Sequence, residues 1–398
     1  MTAESVLPSV FLMPGGDRRL GAGHPWVYSN EIRMDPDAKA LAPGAVVVLR
    51  RVDGKRLGLG TFNARALIAF RLFAADPTTV VDKDFFSQRL GRALALRQRL
   101  YAEPYYRLIH GEADGLPGLV ADRFADVLVL QIATAGMEAL LEPLLAAVDA
   151  VVAPDAVVLR GDGAFRALEN LDRSVSVAKG HVKAPVMVRE SDLAFPADLL
   201  EGQKTGWFFD QRDNRAFVAG LARGGRMLDV FCHSAAFGVG AAGRGATDVI
   251  GIDSSEKALQ LGRQAARLNG VEDRCRFLHG DAFRHLEELD GAGERFQVVA
   301  ADPPAFVKSK KDLKAGLRGY RKLARLAARL VAPGGFLFMA SCSYNAEAGL
   351  FAKEVATGMR GAGRTGRVIR SAGAGPDHPV HPFLAESAYL KTLVLHLD

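Results

Sequence analysis

Seven apolar runs alternate with helical segments from residue 225 onward, and this alternation constrains the fold more than any other feature of the sequence. The strands predicted from these runs cover residues 226–230, 249–253, 276–278, 296–302, 335–341, 367–369 and 389–397. Helices between consecutive strands return the chain to the same end of a sheet, so the pattern predicts right-handed βαβ units and a parallel sheet. The predicted fold class is α/β.

The N-terminal part of the chain follows a different pattern. Residues 44–73 alternate apolar and polar side chains around turn signals, which indicates a small all-β module. Within this module, Asp53-Gly54 predicts a hairpin with a tight type I′ turn, because both central residues of that turn need a positive φ.

A mixed α/β segment is predicted next. Residues 82–101 carry apolar side chains at three- and four-residue spacing, which is typical of a helix. A hairpin at 118–132, a helix at 137–148 and a strand at 156–159 are predicted to follow. With 398 residues the chain is long enough for several domains, and we predict three, at residues 1–75, 76–185 and 186–398.

Composition and cysteine usage bear on the class of protein. Hydrophobic residues make up 49% and charged residues 24%, which is typical of a globular protein. The first 12 residues lack a basic region followed by an apolar run, and polar residues interrupt the apolar stretch 127–154, so we expect neither a signal peptide nor a membrane span. Three cysteines without paired spacing argue against a disulfide framework and a zinc cluster, which favours the cytoplasm.

Acidic residues follow several of the predicted strands. Asp229 lies near the end of the first strand and precedes a run of small residues ending at Gly238, and Asp253 ends the second strand. Asp281 follows the third strand, and Asp302 ends the fourth. A single acid in such a position is commonly a helix cap or turn residue, but ligands of open α/β sheets bind outside the carboxyl ends of the strands. Together the four acids predict a nucleoside cofactor.

The type of cofactor depends on the first loop. No G-x-G-x-x-G sequence follows the first strand, which disfavours a nicotinamide dinucleotide and favours a methyltransferase. Residues 229–238, 253–255, 280–282, 302–306 and 341–343 resemble the motif series of the class I methyltransferases.

The whole chain resembles, more narrowly, the RlmI family of bacterial 23S rRNA cytosine-C5 methyltransferases. Residues 23–32 (GHPWVYSNEI) resemble the N-terminal PUA domain of that family, and residues 204–215 (KTGWFFDQRDNR) resemble the segment that leads into its catalytic domain. The resemblance implies an RNA-binding PUA β-barrel, a mixed α/β middle domain and a class I, Rossmann-like methyltransferase domain. The chain departs from the family at Ala235-Ala236, where Gly-Gly is common.

S-adenosylmethionine is the cofactor that the resemblance implies. The residues that match the cofactor motifs are Gln211, Arg212, Asp229, Phe231, Ser234, Phe237, Gly238, Asp253, Ser254, Asp281, Ala282 and Asp302.

Cys342 directly follows a predicted strand and is the candidate nucleophile. Carbon 5 of a pyrimidine attacks a sulfonium only after a thiolate has added to carbon 6, so the reaction requires a cysteine. Buried packing is the commoner role of a lone cysteine, and we predict it for Cys232 and Cys275. Asp302 is expected to hold the N3 and N4 edge of the base. The preference for cytosine over uracil depends on the family resemblance, and the group that removes the carbon 5 proton stays unassigned.

Positive charge is concentrated after Asp302. Residues 304–330 contain nine Lys or Arg and one Asp, and they are predicted either to hold RNA phosphates or to form a solvated helix face. Phe306 and Tyr344 are expected to stack on the base or to pack in the core. The predicted RNA-binding residues are Lys308, Lys310, Lys311, Arg318 and Arg321, and the predicted partner is 23S rRNA.

Three alternatives stay open from the sequence. The chain could methylate a base nitrogen or uracil carbon 5, or it could be an RNA-binding assembly factor with a vestigial cofactor site. His378 and His381 lack a third metal ligand nearby, so they predict a structural loop and no metal site. The sequence leaves open whether the chain forms a homodimer.

Overall fold

The chain forms two units in the computed structural model, which describes residues 7–398 apart from the side chain of Ala164. The N-terminal unit comprises the chain up to residue 184 together with residues 199–207 and 376–387. The C-terminal unit comprises residues 185–198, 208–375 and 388–398. The first six residues of the segment expected to lack a signal peptide lie outside the described residues.

The N-terminal unit contains two five-stranded sheets, each with a hydrophobic core of its own. The first sheet has the strand order β1-β3-β4-β5-β2, and it buries Val47, Phe62 and Phe70. Its elements are β1 (Ser9–Phe11), α1 (Arg18–Gly21), β2 (Trp26–Tyr28), α2 (Pro36–Ala40), β3 (Ala45–Arg50), β4 (Arg56–Phe62) and β5 (Ile68–Ala74). The predicted all-β module is confirmed by this sheet.

Strands β3 and β4 form the predicted hairpin, but its predicted turn type is wrong. Of the two central residues only Gly54 has a positive φ, 86°. The Gly54 N–H donates to the Arg51 carbonyl, and the Arg51 N–H donates to the Lys55 carbonyl, both at 2.9 Å. A type I′ turn needs two residues of positive φ. Here the Asp53 side chain accepts from the Lys55 N–H at 3.1 Å, and the backbone hydrogen bond that closes the loop joins Arg51 to Lys55.

The second sheet has the strand order β10-β9-β8-β7-β6 and packs against the long helix α3. Its elements are α3 (Lys83–Leu100), β6 (Tyr105–His110), β7 (Leu119–Phe124), β8 (Val127–Ile132), α4 (Ala135–Ala139), α5 (Leu141–Val151), β9 (Ala156–Arg160) and β10 (Val175–Lys179). Asp82 caps α3 by accepting a hydrogen bond from the Phe85 N–H at 3.0 Å. The predicted helix at 82–101 and the hairpin at 118–132 are confirmed, whereas the helix predicted at 137–148 corresponds to two helices.

The C-terminal unit contains a two-stranded hairpin and a seven-stranded sheet. The hairpin consists of β11 (Val186–Glu190) and β12 (Leu193–Ala197). The remaining elements are α6 (Arg212–Leu221), β13 (Arg226–Val230), α7 (Ala236–Gly243), β14 (Asp248–Asp253), α8 (Glu256–Leu268), β15 (Cys275–His279), α9 (Ala282–Gly291), β16 (Phe296–Ala301), α10 (Leu313–Leu330), β17 (Val331–Ser341), α11 (Ala348–Gly361), β18 (Gly366–Ala372) and β19 (Lys391–Leu397).

The large sheet has the strand order β15-β14-β13-β16-β17-β19-β18. Neighbouring strands from β15 to β17 pair in parallel, as predicted, but β19 is antiparallel to both β17 and β18. The prediction of a parallel sheet is therefore wrong for its last strand. No α-helix lies between β18 and β19, so the chain reaches β19 without the helical crossover that a parallel neighbour needs.

Helix α10 covers one face of this sheet. Its buried side chains include Tyr320, Leu323, Ala327 and Leu330, which follow the three- and four-residue spacing of one helix face. They pack with the buried residues of β16 and β17, so α10 is held against the strands that carry Asp302 and Cys342 at their ends. Within residues 7–398, no helix is both long and apolar enough to cross a membrane.

Candidate active site

Three acidic side chains meet at one edge of the large sheet. Asp229 lies in β13, Asp253 ends β14 and Asp302 directly follows β16. In the sheet, Val230 of β13 pairs with Ile252 of β14 on one side and with Ala301 of β16 on the other. The strands that follow β13 in sequence are added first on one side of it and then on the other. Ligands of open α/β sheets bind at such a reversal of strand order.

Asp229 is buried behind the loop that follows β13. Its side chain accepts a hydrogen bond from the Gly238 N–H at 2.9 Å. Burial raises the pKa of Asp229 to about 7, and the negative charges of Asp302 and Asp253 add to this effect. A Cβ atom at Gly238 would lie 2.8 Å from Val249 Cγ1 and 3.3 Å from the Asp229 carboxylate, so this contact requires glycine.

The loop from β13 to α7 has an unusual backbone. Phe231, His233 and Ala235 have φ angles of 61°, 51° and 59°, in the left-handed region that costs free energy for residues other than glycine. Asp253 holds this loop, because its carboxylate accepts hydrogen bonds from the N–H groups of His233 and Ser255, both at 2.8 Å. Strained loops that their surroundings hold in place are concentrated at functional sites.

Ala235 occupies the first of the two positions where the RlmI family commonly has glycine. It takes the left-handed backbone that glycine would adopt freely, and it is fully buried. Room for its methyl group comes from Gly262 of α8, since a Cβ atom on Gly262 would lie 3.2 Å from the Ala235 Cβ. The loop therefore keeps a glycine-type conformation without glycine.

The other residues of the predicted cofactor motifs occupy different environments. Ser234, Phe237 and Ala282 are buried, and Phe237 packs against Phe338 with ring centroids 5.1 Å apart. Ser254 is exposed at the end of β14. Asp281 is also exposed, and it caps α9 by accepting from the Arg284 N–H at 2.9 Å. Asp281 is thus a helix cap, which is the common role that the sequence analysis gave for a single acid at the end of a strand.

Gln211 connects the segment before α6 to the acidic edge. Its Nε2 donates to Asp302 Oδ2 at 2.9 Å, and its Oε1 accepts from Asn214 Nδ2 at 2.8 Å. Arg212 lies 3.6 Å from Glu190, with Nε and Oε2 as the closest atoms. The structure thus brings Gln211 directly to Asp302, while Arg212 lies against a carboxylate of the β11 strand.

Cys342 follows the last residue of β17 between two buried serines. Ser341 Oγ donates to the Tyr320 hydroxyl at 2.8 Å, and the Tyr320 hydroxyl is also 2.8 Å from Ser343 Oγ. The Val307 N–H donates to Ser343 Oγ at 3.0 Å. The backbone on both sides of Cys342 is therefore fixed to α10 and to the segment after Asp302. Sequence reasoning missed Tyr320, although its place on the apolar face of α10 was visible.

Cys342 is the one cysteine of the three that is partly exposed. Cys232 and Cys275 are buried. Burial raises the pKa of the Cys232 thiol well above its ordinary value and that of Cys275 to about 12. Both buried groups are therefore thiols at neutral pH, which agrees with their predicted packing role.

Comparison with protein families and solved structures identifies this arrangement. The family model described as S-adenosylmethionine-dependent methyltransferase matches residues 107–368, and a model of a PUA-like domain matches residues 10–75. The ribosomal RNA large subunit methyltransferase I of Shewanella denitrificans is 36% identical over 388 residues, which cover 96% of this chain and 98% of that protein. The enzyme of the same name from Aeromonas hydrophila is 36% identical over 393 residues, or 97% and 98% of the two chains. The chain belongs to the ribosomal RNA large subunit methyltransferase I family.

Solved structures agree with the fold of this methyltransferase. A structure of a proposed S-adenosylmethionine-dependent methyltransferase from Streptococcus mutans superposes with a TM-score of 0.82 and 18% identity, covering 98% of this chain and all of the other. A proposed methyltransferase solved in complex with SAH gives a TM-score of 0.84 with the same identity and coverage. The predicted fold class, with a PUA-like domain preceding an S-adenosylmethionine-dependent methyltransferase domain, is confirmed.

S-adenosylmethionine, the predicted cofactor, is confirmed by the family, and the charges of the site fit it. The methyltransferase has Asp229, Asp253 and Asp302 at one sheet edge, close enough to raise the pKa of Asp229. A cofactor that carries a sulfonium and an ammonium group would relieve this concentration of negative charge. The donor set of the site therefore suits S-adenosylmethionine.

The residues of the methyltransferase predicted to bind RNA are all exposed. Lys308, Lys310 and Lys311 surround the turn that precedes α10. Arg318 and Arg321 lie on the outer face of α10, and Arg321 Nε is 2.5 Å from Glu354 Oε2. One cation of the five is therefore paired with a carboxylate of α11.

Of the two aromatic side chains discussed near Cys342, one is packed and the other is exposed. Phe306 packs against Tyr320 with centroids 4.8 Å apart and joins the hydrophobic core of the methyltransferase domain. Tyr344 is 49% exposed. Of the two alternatives left by the sequence, packing applies to Phe306, whereas Tyr344 has a surface that a base could contact.

The two late histidines lie in residues 376–387, which belong to the N-terminal unit. His378 is buried, with its Nδ1 2.8 Å from Asp377 Oδ1. His381 Nδ1 accepts from the Phe383 N–H at 3.2 Å. Among residues 7–398, no group of three or more His, Cys, Asp or Glu side chains is arranged to hold a metal ion.

Proposed function

We propose that this methyltransferase methylates carbon 5 of a cytosine in 23S rRNA through a covalent adduct between Cys342 and carbon 6. The large-subunit rRNA substrate is supported by the names of the relatives, which are 36% identical over nearly the full chain. The PUA-like domain at residues 10–75 and the exposed cations before and along α10 support an RNA partner.

The position of Cys342 is the observation on which the chemistry depends. It is partly exposed at the carboxyl edge of the sheet, where a ligand of this fold lies, while the other two cysteines are buried thiols. Its neighbours Ser341 and Ser343 are tied to Tyr320, so the sulfur is held on a rigid strand end. A fixed and accessible thiol is what nucleophilic addition to a pyrimidine requires.

The reaction divides into addition, methyl transfer and elimination. The Cys342 thiolate forms a bond to carbon 6, and the electron pair of the C5=C6 bond makes carbon 5 nucleophilic. When bound, S-adenosylmethionine supplies a methyl group that carbon 5 can attack, with SAH as the other product. Loss of the carbon 5 proton then restores the C5=C6 bond and expels the Cys342 thiolate. No cysteine lies in residues 303–341, so the base that takes this proton is not a neighbouring thiol.

Asp302 is proposed to orient the base. Its carboxylate accepts from Gln211 Nε2, and because a carboxylate can accept several hydrogen bonds, we propose that it also accepts one from the exocyclic amine of cytosine. An amine donor at this edge distinguishes cytosine from uracil, whose carbonyl oxygen would face a carboxylate. We assign the cofactor to the edge formed by Asp229, Asp253 and Asp302, together with the other residues of the predicted cofactor motifs.

The proposal is tested with rRNA and labelled S-adenosylmethionine. We expect the purified protein to transfer label to large-subunit rRNA, and Cys342→Ala to lose at least about 1000-fold of the rate. Cys275→Ala is the matched control, because it removes a buried thiol and should keep the rate within about threefold. Full activity of Cys342→Ala would exclude the thiolate mechanism.

The position of the methyl group separates the remaining alternatives. Digestion of the labelled rRNA and mass spectrometry should yield 5-methylcytidine. A product methylated on nitrogen or on uracil would refute the proposed specificity, and failure to bind S-adenosylmethionine in calorimetric titration would indicate an assembly factor. We also propose that the protein acts in the cytoplasm, which its rRNA substrate and the lack of a disulfide among its three cysteines favour.

A further inference from the structure

Lys391 is the first residue of β19 and lies beside the candidate nucleophile. The antiparallel pairing of β17 with β19 places Lys391 opposite Ser341. The Lys391 Nζ donates a hydrogen bond of 2.7 Å to the carbonyl of Ser343. Its side chain thus spans the backbone position of Cys342, from a strand partner on one side to a carbonyl on the other.

The ammonium group of Lys391 has an unusual environment. It is half-buried, and within residues 7–398 no carboxylate forms an ion pair with its Nζ. Burial lowers the pKa of Lys391, and the negative charge of the Cys342 thiolate opposes that change. Burying half of a cation that has no carboxylate partner costs free energy, and a negative charge at the site would offset that cost.

Other ionisable groups near Cys342 come from two further elements. Tyr320 of α10 has its pKa raised by burial, and the charge of Cys342 adds to that effect. Asp302 follows β16, the strand next to β17, and binds Gln211. Neither group can supply positive charge, whereas Lys391 from β19 can.

We propose that Lys391 is a positioning residue of the methylation reaction, whose ammonium stabilises the thiolate of Cys342 and fixes the Ser343 carbonyl. This inference rests on the proposed function, in which Cys342 is the nucleophile. The thiol proton of Cys342 leaves to solvent, Lys391 keeps its own protons throughout, and the thiolate expelled at the end of the reaction returns to the same ammonium. Cationic neighbours lower cysteine pKa values in this way in many active sites.

Alkylation of Cys342 tests this role without requiring methyl transfer. Iodoacetamide modifies the thiolate, so the rate of carbamidomethylation of the Cys342 peptide, followed by mass spectrometry against pH, reports the ionisation of that thiol. We expect the wild-type midpoint to lie below about 8.5, the ordinary value for cysteine. In Lys391→Met the midpoint should rise by about one pH unit, which is about tenfold slower alkylation at pH 7.

Lys391→Arg is the matched variant, since it keeps a cation on a long side chain. Lys391→Arg should retain an alkylation midpoint near that of the wild type. If Lys391 had only a structural role, the midpoint would be unchanged in Lys391→Met as well as in Lys391→Arg. Equal midpoints in the wild type and Lys391→Met, or a wild-type midpoint at or above about 8.5, would overturn the proposal. A wild-type midpoint at or above about 8.5 overturns the proposal even if Lys391→Met does not fold.

The two proposals fail in different experiments. If Cys342→Ala keeps full methylation activity, the thiolate mechanism is wrong whatever the alkylation midpoint. If Cys342→Ala is inactive but the midpoint does not depend on Lys391, the nucleophile stands and only the role of Lys391 is excluded.

Discussion

Acidic side chains have opposite electrostatic environments in the N-terminal unit and at the sheet edge of the C-terminal unit. In the N-terminal unit, Arg97 holds Asp114 through two hydrogen bonds of 2.6 and 2.7 Å. Arg107 holds Asp122 through bonds of 2.5 and 3.0 Å, and the Asp122 side chain is fully buried. Each carboxylate meets a guanidinium in the bidentate geometry that compensates best for the loss of water.

At the sheet edge, acids lie near one another instead. Asp253 and Asp302 add their negative charges to the burial that raises the pKa of Asp229 to about 7. Acids whose pKa is perturbed by burial and by neighbouring carboxylates are concentrated at functional sites, whereas bidentate pairs commonly serve structure. The comparison therefore predicts that charge substitutions in the N-terminal unit change stability and that those at the edge change activity.

The largest expected effect is on the stability of the N-terminal unit. Arg107→Met leaves Asp122 buried without its guanidinium partner, so we expect the free energy of unfolding to fall by about 3–5 kcal/mol. Urea denaturation measures this change. Lys179→Met, which breaks an exposed pair with Asp149, is the control and should cost less than about 1 kcal/mol. Similar losses for both variants would contradict the contrast.

The reverse result is expected at the sheet edge. Asp302→Asn should lower the single-turnover methylation rate by about 100-fold, because the proposed hydrogen bond between the Asp302 carboxylate and the base would be lost. The free energy of unfolding should stay within about 1 kcal/mol of the wild type, since removing one of several like charges offsets the lost contact to Gln211. Asp273→Asn, at a side chain that is 79% exposed, is the control for both measurements. If Asp302→Asn were destabilised but fully active, the predicted contrast between the two regions would be wrong.

A smaller effect follows from the titration of Asp229. Its pKa in the folded protein, about 7, lies above the unfolded value of about 3.9, so its stabilising contribution is complete below pH 4 and is lost as the pH rises through 7. Relative to Asp229→Asn, the cofactor-free wild type should therefore lose about 2 kcal/mol between pH 5.5 and 8.5. Thermal unfolding against pH measures the difference, and parallel curves for the two proteins would show that Asp229 does not titrate in this range.

The smallest effect concerns the packing of the loop from β13 to α7. Gly262→Ala would place a methyl group about 3.2 Å from the Ala235 Cβ, so we expect a loss of about 1 kcal/mol. In the Ala235→Gly background the same substitution should cost nothing, because the space is free and alanine favours the helix. A double-mutant cycle on the free energy of unfolding should thus show a coupling of about 1 kcal/mol. Additive changes would mean that α8 moves aside.

Much of the fold followed from local sequence patterns. The predicted strands at 226–230 and 249–253 match β13 and β14 to within one residue, and the predicted helix at 82–101 matches α3 equally well. Side-chain periodicity reports these elements because it depends on residues only two to four positions apart. The direction of β19 was not predictable in this way, since it depends on a connection without an α-helix and on pairing with β17.

The candidate site shows the same division. The order of apolar strands and the acids at their ends were enough to predict a nucleoside site at one sheet edge, and the strand-end position distinguished Cys342 from the other cysteines. The environments of these groups were decided by the tertiary structure. Lys391 meets Ser343 across 48 positions of the chain, and Asp229 acquires its raised pKa only when packing removes water and brings other carboxylates near. Ionisation depends on all neighbouring charges and on burial, which no local pattern of side chains specifies.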